Sequence, residues 1–251
     1  MRWWSYLLIG IGGYLMFLLV ETPAQHVLGW SLADKGRLPF SFATMKGSLW
    51  RGKIEAIDYR GTPLDKLKWR FTPTSLLLGG IGFDLELRHM NHRLDAHFTR
   101  TLGGDYRLTD VTGQLPASLI AEMADLGQIA IQGEVELALS HLEIEAERIA
   151  SAEGEIKWLN PALLSPFSVK EGNLKADVTT DDNGTIKVKI NDLNGVTSVD
   201  GELNLTTEGN YDLNGAIKPG AESDPGLSSV LKAVAKSQPD GSYRIKFSGR
   251  L

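Results

Sequence analysis

The residues with most chemistry to offer are three histidines close in sequence, His89, His92 and His97. A metal site needs three or four donors converging on one point. On an extended strand, residues three apart point to opposite faces, so His89 and His92 meet only if the chain turns at Asn91. The chain has no Cys, and no paired carboxylate at ligand spacing completes a set. Exposed strand histidines are the expectation. Glu143, Glu145 and Glu147 share one face of a strand, which a solvated face explains without any chemistry. Gly79-Gly80-Ile81-Gly82 precedes a strand rather than opening a helix and fails the test for a phosphate-binding loop. Asp181-Asp182-Asn183-Gly184 lacks the late Glu of a calcium loop and reads as a turn. No Ser/His/Asp set carries the signature of a nucleophile elbow. The sequence therefore predicts no catalytic residue, no metal, no cofactor, and a protein that is not an enzyme.

A second group of residues suggests architecture instead. Gly47, Ser48, Leu49, Trp50 and Gly52 form a compact motif, and Trp69 and Trp158 stand in comparable settings further on. Each Trp ends or follows an alternating run. It either packs as a large apolar side chain in the core or lines a trough on the sheet that receives lipid or a partner strand. The expectation is a structural motif.

Strands must position these residues. Apolar and polar residues alternate over 40–45, 54–59, 64–71, 83–87, 135–139, 142–146, 174–178, 186–190, 203–205 and 243–247. Alternation gives one buried and one wet face, as in antiparallel meanders. Asn183-Gly184 between two such runs predicts a hairpin with a type I′ turn. Only 116–124 and 225–237 read as later helices. An internal duplication is expected, with repeats 38–125 and 130–251. Pro39-Phe40-Ser41-Phe42 followed by Lys46-Gly47 is echoed by Pro166-Phe167-Ser168-Val169 followed by Lys170-Glu171-Gly172. Tyr106, Gly113 and Pro116 are matched by Tyr211, Gly215 and Pro219.

The first twenty residues decide the compartment. No charged side chain occurs from Trp3 to Val20. Eighteen helical residues reach about 27 Å, close to the hydrocarbon thickness of a bilayer. Arg2 precedes the run and Trp3, Trp4 and Tyr6 resemble interfacial anchors, so a single transmembrane helix with a cytosolic N-terminus is predicted. The competing reading is a signal peptide cleaved near Thr22-Pro23-Ala24. The domain expectation is a cytosolic stub and anchor over 1–21, an amphipathic helix or linker over 22–37, and a β-rich domain over 38–251. The formal net charge is −5, with no basic stripe interleaved with aromatics, which argues against nucleic-acid partners.

Met45-Lys46-Gly47-Ser48-Leu49-Trp50-Arg51-Gly52, Leu67-Lys68-Trp69 followed by Leu76-Leu77-Leu78-Gly79-Gly80, Gly154-Glu155-Ile156-Lys157-Trp158 and Gly209-Asn210-Tyr211 resemble protein N of the type II (general) secretion pathway of Gram-negative bacteria. The resemblance covers nearly the whole chain. It implies an accessory inner-membrane, single-pass component, with its bulk in the periplasm. Such a component would assist export of folded exoproteins across the outer membrane alongside other type II secretion components. It also implies a curved, mostly antiparallel β-sheet with two or three short helices. The alternative function is a lipid-binding or lipid-conducting envelope module, with phospholipid as the partner.

Overall fold

Alternating apolar residues form strands because the pleat sends successive side chains to opposite faces. The computed structural model describes residues 40–59, 61–123, 130–145, 148–165, 169–170, 172–193, 195, 197–221 and 223–250. The elements run β1 (Phe40–Gly47), β2 (Arg51–Tyr59), β3 (Thr62–Thr72), α1 (Thr74–Leu77), β4 (Gly80–His89), β5 (His92–Thr101), β6 (Tyr106–Pro116), α2 (Ala117–Met123), β7 (Ala130–Glu145) and β8 (Arg148–Ser165). The chain continues with β9 (Val169–Lys170), β10 (Asn173–Thr180), β11 (Ile186–Leu193), β12 (Ser198–Leu205), β13 (Asn210–Lys218), α3 (Pro225–Val234), β14 (Lys236–Ser237) and β15 (Tyr243–Arg250). The predicted anchor over 1–21 and the segment over 22–37 lie outside the described residues. Among the described residues no helix is long and apolar enough to cross a membrane.

All strands join one sheet in the order β1 to β8, then β10 to β13, β15 and β14, with β9 attached to β8. Every pairing is antiparallel, and the path ends at β1 and β14 without closing. The mainly β, antiparallel expectation holds, and the sheet is open.

Three strands share one change of phase. Phe42 and Met45, Ile57 and Ile54, and Leu64 and Leu67 face the same side although each pair is three residues apart, and they remain in register across β1, β2 and β3. Ala56 absorbs the shift in β2 with a φ of 53°. True bulges follow where Asp110 and Val111 of β6 oppose one residue of β5, and where Asn160 and Pro161 of β8 oppose Gly133. Bulges bend and twist a strand pair. The short α2 touches β3, β6 and β7. β3 and β7 would stand about 19 Å apart in a flat sheet. A seven-residue helix about 10 Å long reaches both through its side chains, lying across the strands between them.

The core is thin. Around α2, the buried residues Ile54, Ile57, Leu64, Leu115 and Leu119 form one cluster, flanked by Phe42, Met45, Leu67 and Trp69. Ala152, Val178 and Ile186 form a second, and Leu227 and Leu231 of α3 a third against Ile217 and Ile245. Asp224 caps α3 by accepting from the Gly226 N–H at 2.7 Å, with Pro225 at the first helical position.

Three local expectations need correction. The helix predicted over 225–237 stops at Val234, and Lys236–Ser237 is the short strand β14. α1 is a helix that periodicity missed, because four residues are too few to show a period. The Asp181–Gly184 hairpin forms, but not with a type I′ turn: among its loop residues only Gly184 has positive φ, at 77°. Asp181 N–H donates to Thr185 O at 3.0 Å, giving a three-residue loop that ends on a left-handed glycine.

Candidate functional site

The pairing register stacks apolar residues into rows across the whole sheet. One row runs Met45, Ile54, Leu67, Leu87, Leu94, Gly113, Leu137, Ile156, Ala176, Ile190, Gly201, Gly215 and Ile245 through thirteen strands. No polar side chain interrupts it. Next to it, Val111, Leu139, Gly154, Val178, Val188, Leu203, Leu213 and Phe247 make a parallel row. In the long row only Ile54 and Gly201 are buried, and the other members are half-buried. Phe247 is 47% exposed. An apolar face this wide, covered by helices only in places, is a surface that could receive something.

The opposite face is charged and zipped by cross-strand ion pairs. Glu86 accepts from Lys68 Nζ at 2.6 Å and from Arg88 Nε at 2.7 Å, and the former bond above all holds its carboxyl below the usual range. Arg107 meets Glu143 at 2.7 Å and lowers it likewise. Glu155 lies between Lys157 at 2.7 Å and Lys175 at 2.6 Å, whose hydrogen bonds, Lys157 first, bring it down to about 2. Glu143 thus belongs to a pair rather than to a carboxylate cluster; Glu145 is exposed, and Glu147 lies outside the described residues. A depression of about 560 Å³ on this face, beside Gly113, is bordered by Arg93, Glu136, Glu155 and Lys157. The cations and carboxylates around it largely pair with one another or with near neighbours.

A similar local geometry occurs at two of the tryptophans. Gly47 ends β1 with φ 106°, and a Cβ there would lie 2.4 Å from Arg51 O. Ser48 closes the turn, its N–H donating to Arg51 O at 2.9 Å and its Oγ accepting from Arg51 N at 3.3 Å. Leu49 O accepts from the Trp69 indole at 3.0 Å, and that indole lies over Gly52, where a Cβ would approach it to 2.3 Å. Trp158 repeats the device: its indole donates to Gln132 O at 3.0 Å, beside Gly133 with φ 108°. Trp50 packs edge-on against Phe71, with ring centroids 4.5 Å apart. Trp69 joins the cluster around α2.

The histidines divide. The chain does turn at Met90-Asn91, and His89 pairs directly with His92 across the β4–β5 hairpin. The expectation of exposed strand histidines fails here: His89 is only 8% exposed, because its face lies toward the apolar side of the sheet. The Nδ1 atoms of both are buried without a hydrogen-bond partner, and His92 Nε2 is 3.7 Å from Glu134. Among the described residues no group of three or more His, Asp or Glu is placed to hold a metal ion.

His97 joins an arrangement that sequence spacing missed. Ser75 Oγ lies 3.2 Å from His97 Nε2, and His97 Nδ1 lies 2.8 Å from Asp84 Oδ1. A carboxylate only accepts, so Nδ1 donates to Asp84 and Nε2 is left to accept from the serine. The order imitates a nucleophile, base and orienter. Ser75, however, is 3% exposed and pressed against Gly82, where a Cβ would come within 2.0 Å of its oxygen. A nucleophile needs space for a reacting carbon about 3 Å away. The chain of hydrogen bonds instead fastens α1 over β4 and β5. No signal in the sequence marks it, since Ser75 and His97 are 22 residues apart and in no motif.

The family model for protein N of the type II secretion system (T2SS) matches residues 40–246, which span the sheet from β1 into β15. The chain belongs to the type II secretion system protein N family. A relative named type II secretion system protein N from Klebsiella pneumoniae is 29% identical over 230 residues, covering 88% of this chain and 84% of the relative. Those of the same name from Vibrio cholerae and Pectobacterium carotovorum subsp. carotovorum are 25% and 20% identical, covering 92% and 95% of the chain and 91% and 93% of themselves. No solved structure matches. The resemblance drawn from the Gly-Ser-Leu-Trp-x-Gly stretch is therefore correct at the level of the family.

Proposed function

We propose that this chain is an accessory, non-enzymatic component of the type II secretion system that assists export of folded exoproteins. It is held in the inner membrane by an anchor over 1–21, with 22–37 as linker and the β-rich domain over 38–251, built of repeats 38–125 and 130–251, in the periplasm. The observation that carries the reading is the match to protein N over 40–246. The open sheet supports a binding role, since it offers two edges for strand addition and a half-covered apolar face for other secretion components. In this reading Gly47, Ser48, Leu49, Trp50, Gly52, Trp69 and Trp158 act as structural joints that hold the strands in register.

Deleting the gene and assaying secreted hydrolases tests the role: reduced export with unchanged periplasmic folding supports it, and unaltered export overturns it. Alkaline phosphatase fused after Leu251 is active if the bulk is periplasmic and inactive if it is cytosolic. A second reading is favoured by the uninterrupted row of apolar and glycine residues from Met45 to Ile245, along which acyl chains could lie. Phospholipid recovered in stoichiometric amount with the purified chain would promote that reading; a lipid-free chain whose melting ignores added lipid would eliminate it.

A further inference from the structure

One end of the sheet carries an apolar tip that the apolar face does not explain. Leu77 and Leu78 at the end of α1 are each 87% exposed, Leu102 in the β5–β6 turn is 85% exposed, and Leu76 is 56% exposed. A single exposed Leu on a protein surface is ordinary, but several on two adjoining turns are not. The turns are fixed to each other, Leu102 N–H donating to Gly79 O at 3.1 Å. The Ser75–His97–Asp84 hydrogen bonds fasten α1 from beneath, so the leucines are presented rather than left loose.

Behind the tip lies a band of rings. Trp50 meets Phe71 at 4.5 Å, Phe71 meets Phe83 at 5.7 Å, and Phe98 stacks on Tyr106 at 6.0 Å. At the same level stand exposed arginines. Arg51 and Arg70 are opposite each other in β2 and β3, and Arg100 lies over the Tyr106 ring at 5.7 Å. Among the described residues none of the three has a carboxylate within 4 Å, and Asp84, opposite Arg70, is taken by His97. Aliphatic tips, then aromatic rings and cations further back along the strands, is the order in which a bilayer interface changes from acyl chains to headgroups.

We propose that this tip enters the outer part of an anionic phospholipid bilayer, with Leu77, Leu78 and Leu102 among the acyl chains and Arg51, Arg70 and Arg100 on the headgroup phosphates. A convex tip suits a fluid surface, whereas a protein partner would need a matching pocket. Unpaired arginines beside it add attraction to negative lipid. The inference does not rest on the secretion reading and would stand if that reading failed.

Because the chain has no Cys, single replacements place one label each. Full-length chain with L77C, L102C or, as control in the β10–β11 turn at the same end of the sheet, D182C is labelled with an environment-sensitive fluorophore. The labelled chains are reconstituted into phosphatidylglycerol–phosphatidylcholine vesicles containing spin-labelled lipid. The proposal expects blue-shifted emission at 77 and 102, with lipid quenching at least twofold above that at 182. Replacing Arg51, Arg70 and Arg100 by Gln, or the vesicles by pure phosphatidylcholine, should reduce that quenching by half or more, with circular dichroism unchanged. Quenching at 77 and 102 no greater than at 182 overturns the proposal. A blue shift without quenching does so too, and means that a second copy or other protein covers the tip. Quenching indifferent to both charge changes overturns the headgroup contact.

Discussion

The two halves of the sheet are written in the same alternating code, yet only one of them has its apolar face well covered. Around α2, Ile54, Ile57, Leu64, Leu115 and Leu119 are all buried, because a helix lies against the sheet there. Over β10 to β13, Val178 and Ile186 are the buried large side chains, and Ile190, Leu203 and Leu213 stay half-exposed on the same face. α3 covers only the end near Ile217 and Ile245. Alternation specifies which face is apolar; what covers that face is decided by the few helical residues that can fold back onto it. The second half therefore keeps much of its apolar face half-exposed.

Truncation should separate the halves most strongly. Leu119→Ala, at a site 3% exposed, is expected to cost about 2–4 kcal/mol in urea unfolding. Leu203→Ala, half-exposed, should cost about 1 kcal/mol. Equal losses would mean that the second half is covered as well as the first. Glycine substitutions follow in size. Gly47→Ala must push a Cβ to 2.4 Å from Arg51 O at a φ of 106° and should destabilise by about 2–3 kcal/mol, whereas Gly61→Ala, with φ 91° and nothing within 4 Å, should cost about 1 kcal/mol. A smaller effect is expected at the two indole joints. Trp69→Phe and Trp158→Phe each lose one N–H donor, worth about 1 kcal/mol, with the larger loss at Trp69 because it also packs in the α2 cluster. Similar Tm shifts for both would erase that distinction.

Much of this organisation was legible in the residues themselves. β10 and β11 alternate cleanly, and β2 and β3 do so on either side of one change of phase; all four are legible to within a few residues. β5 was not, because His92, Leu94, Ala96, Phe98 and Arg100 share a face and break its apolar character at both ends. β8 was hidden by Gly154 and by Asn160-Pro161, where bulges carry the strand through residues that usually end one. The Trp motif was visible as a motif, but its joint was not, since the acceptor Leu49 O lies in the β1–β2 turn and Gln132 O on the neighbouring strand β7. The Ser75–His97–Asp84 chain was invisible for the same reason. Contacts across strands depend on register, which composition does not reveal.

The smallest expected effect concerns the charged face, where the two halves meet at Glu155. Its carboxyl, brought to about 2 by Lys157 and Lys175, stays ionised in the fold at pH values where an unfolded Glu near 4.5 takes up a proton. Its stabilisation is therefore full above pH 4.5 and fades as pH falls toward 2. Glu155→Gln should flatten that part of the acid limb in a pH series of thermal melts and leave the neutral side nearly parallel. The three side chains are each about a third exposed, so water screens them and the change should be slight. An acid limb unchanged by Glu155→Gln would show that the bridge is not formed.

Thiol reactivity tests the contrast between covered and uncovered halves most directly, because the chain contains no cysteine of its own. Single replacements I57C and L64C report on the face beneath the α2 cluster, and L203C and F247C on the open half. With a polar thiol reagent, the native full-length chain is expected to react at least tenfold faster at 203 and 247 than at 57 and 64, with all four equal after unfolding. Equally slow reaction at all four positions would contradict the account, since the apolar face of β10 to β15 would then be closed within the chain itself.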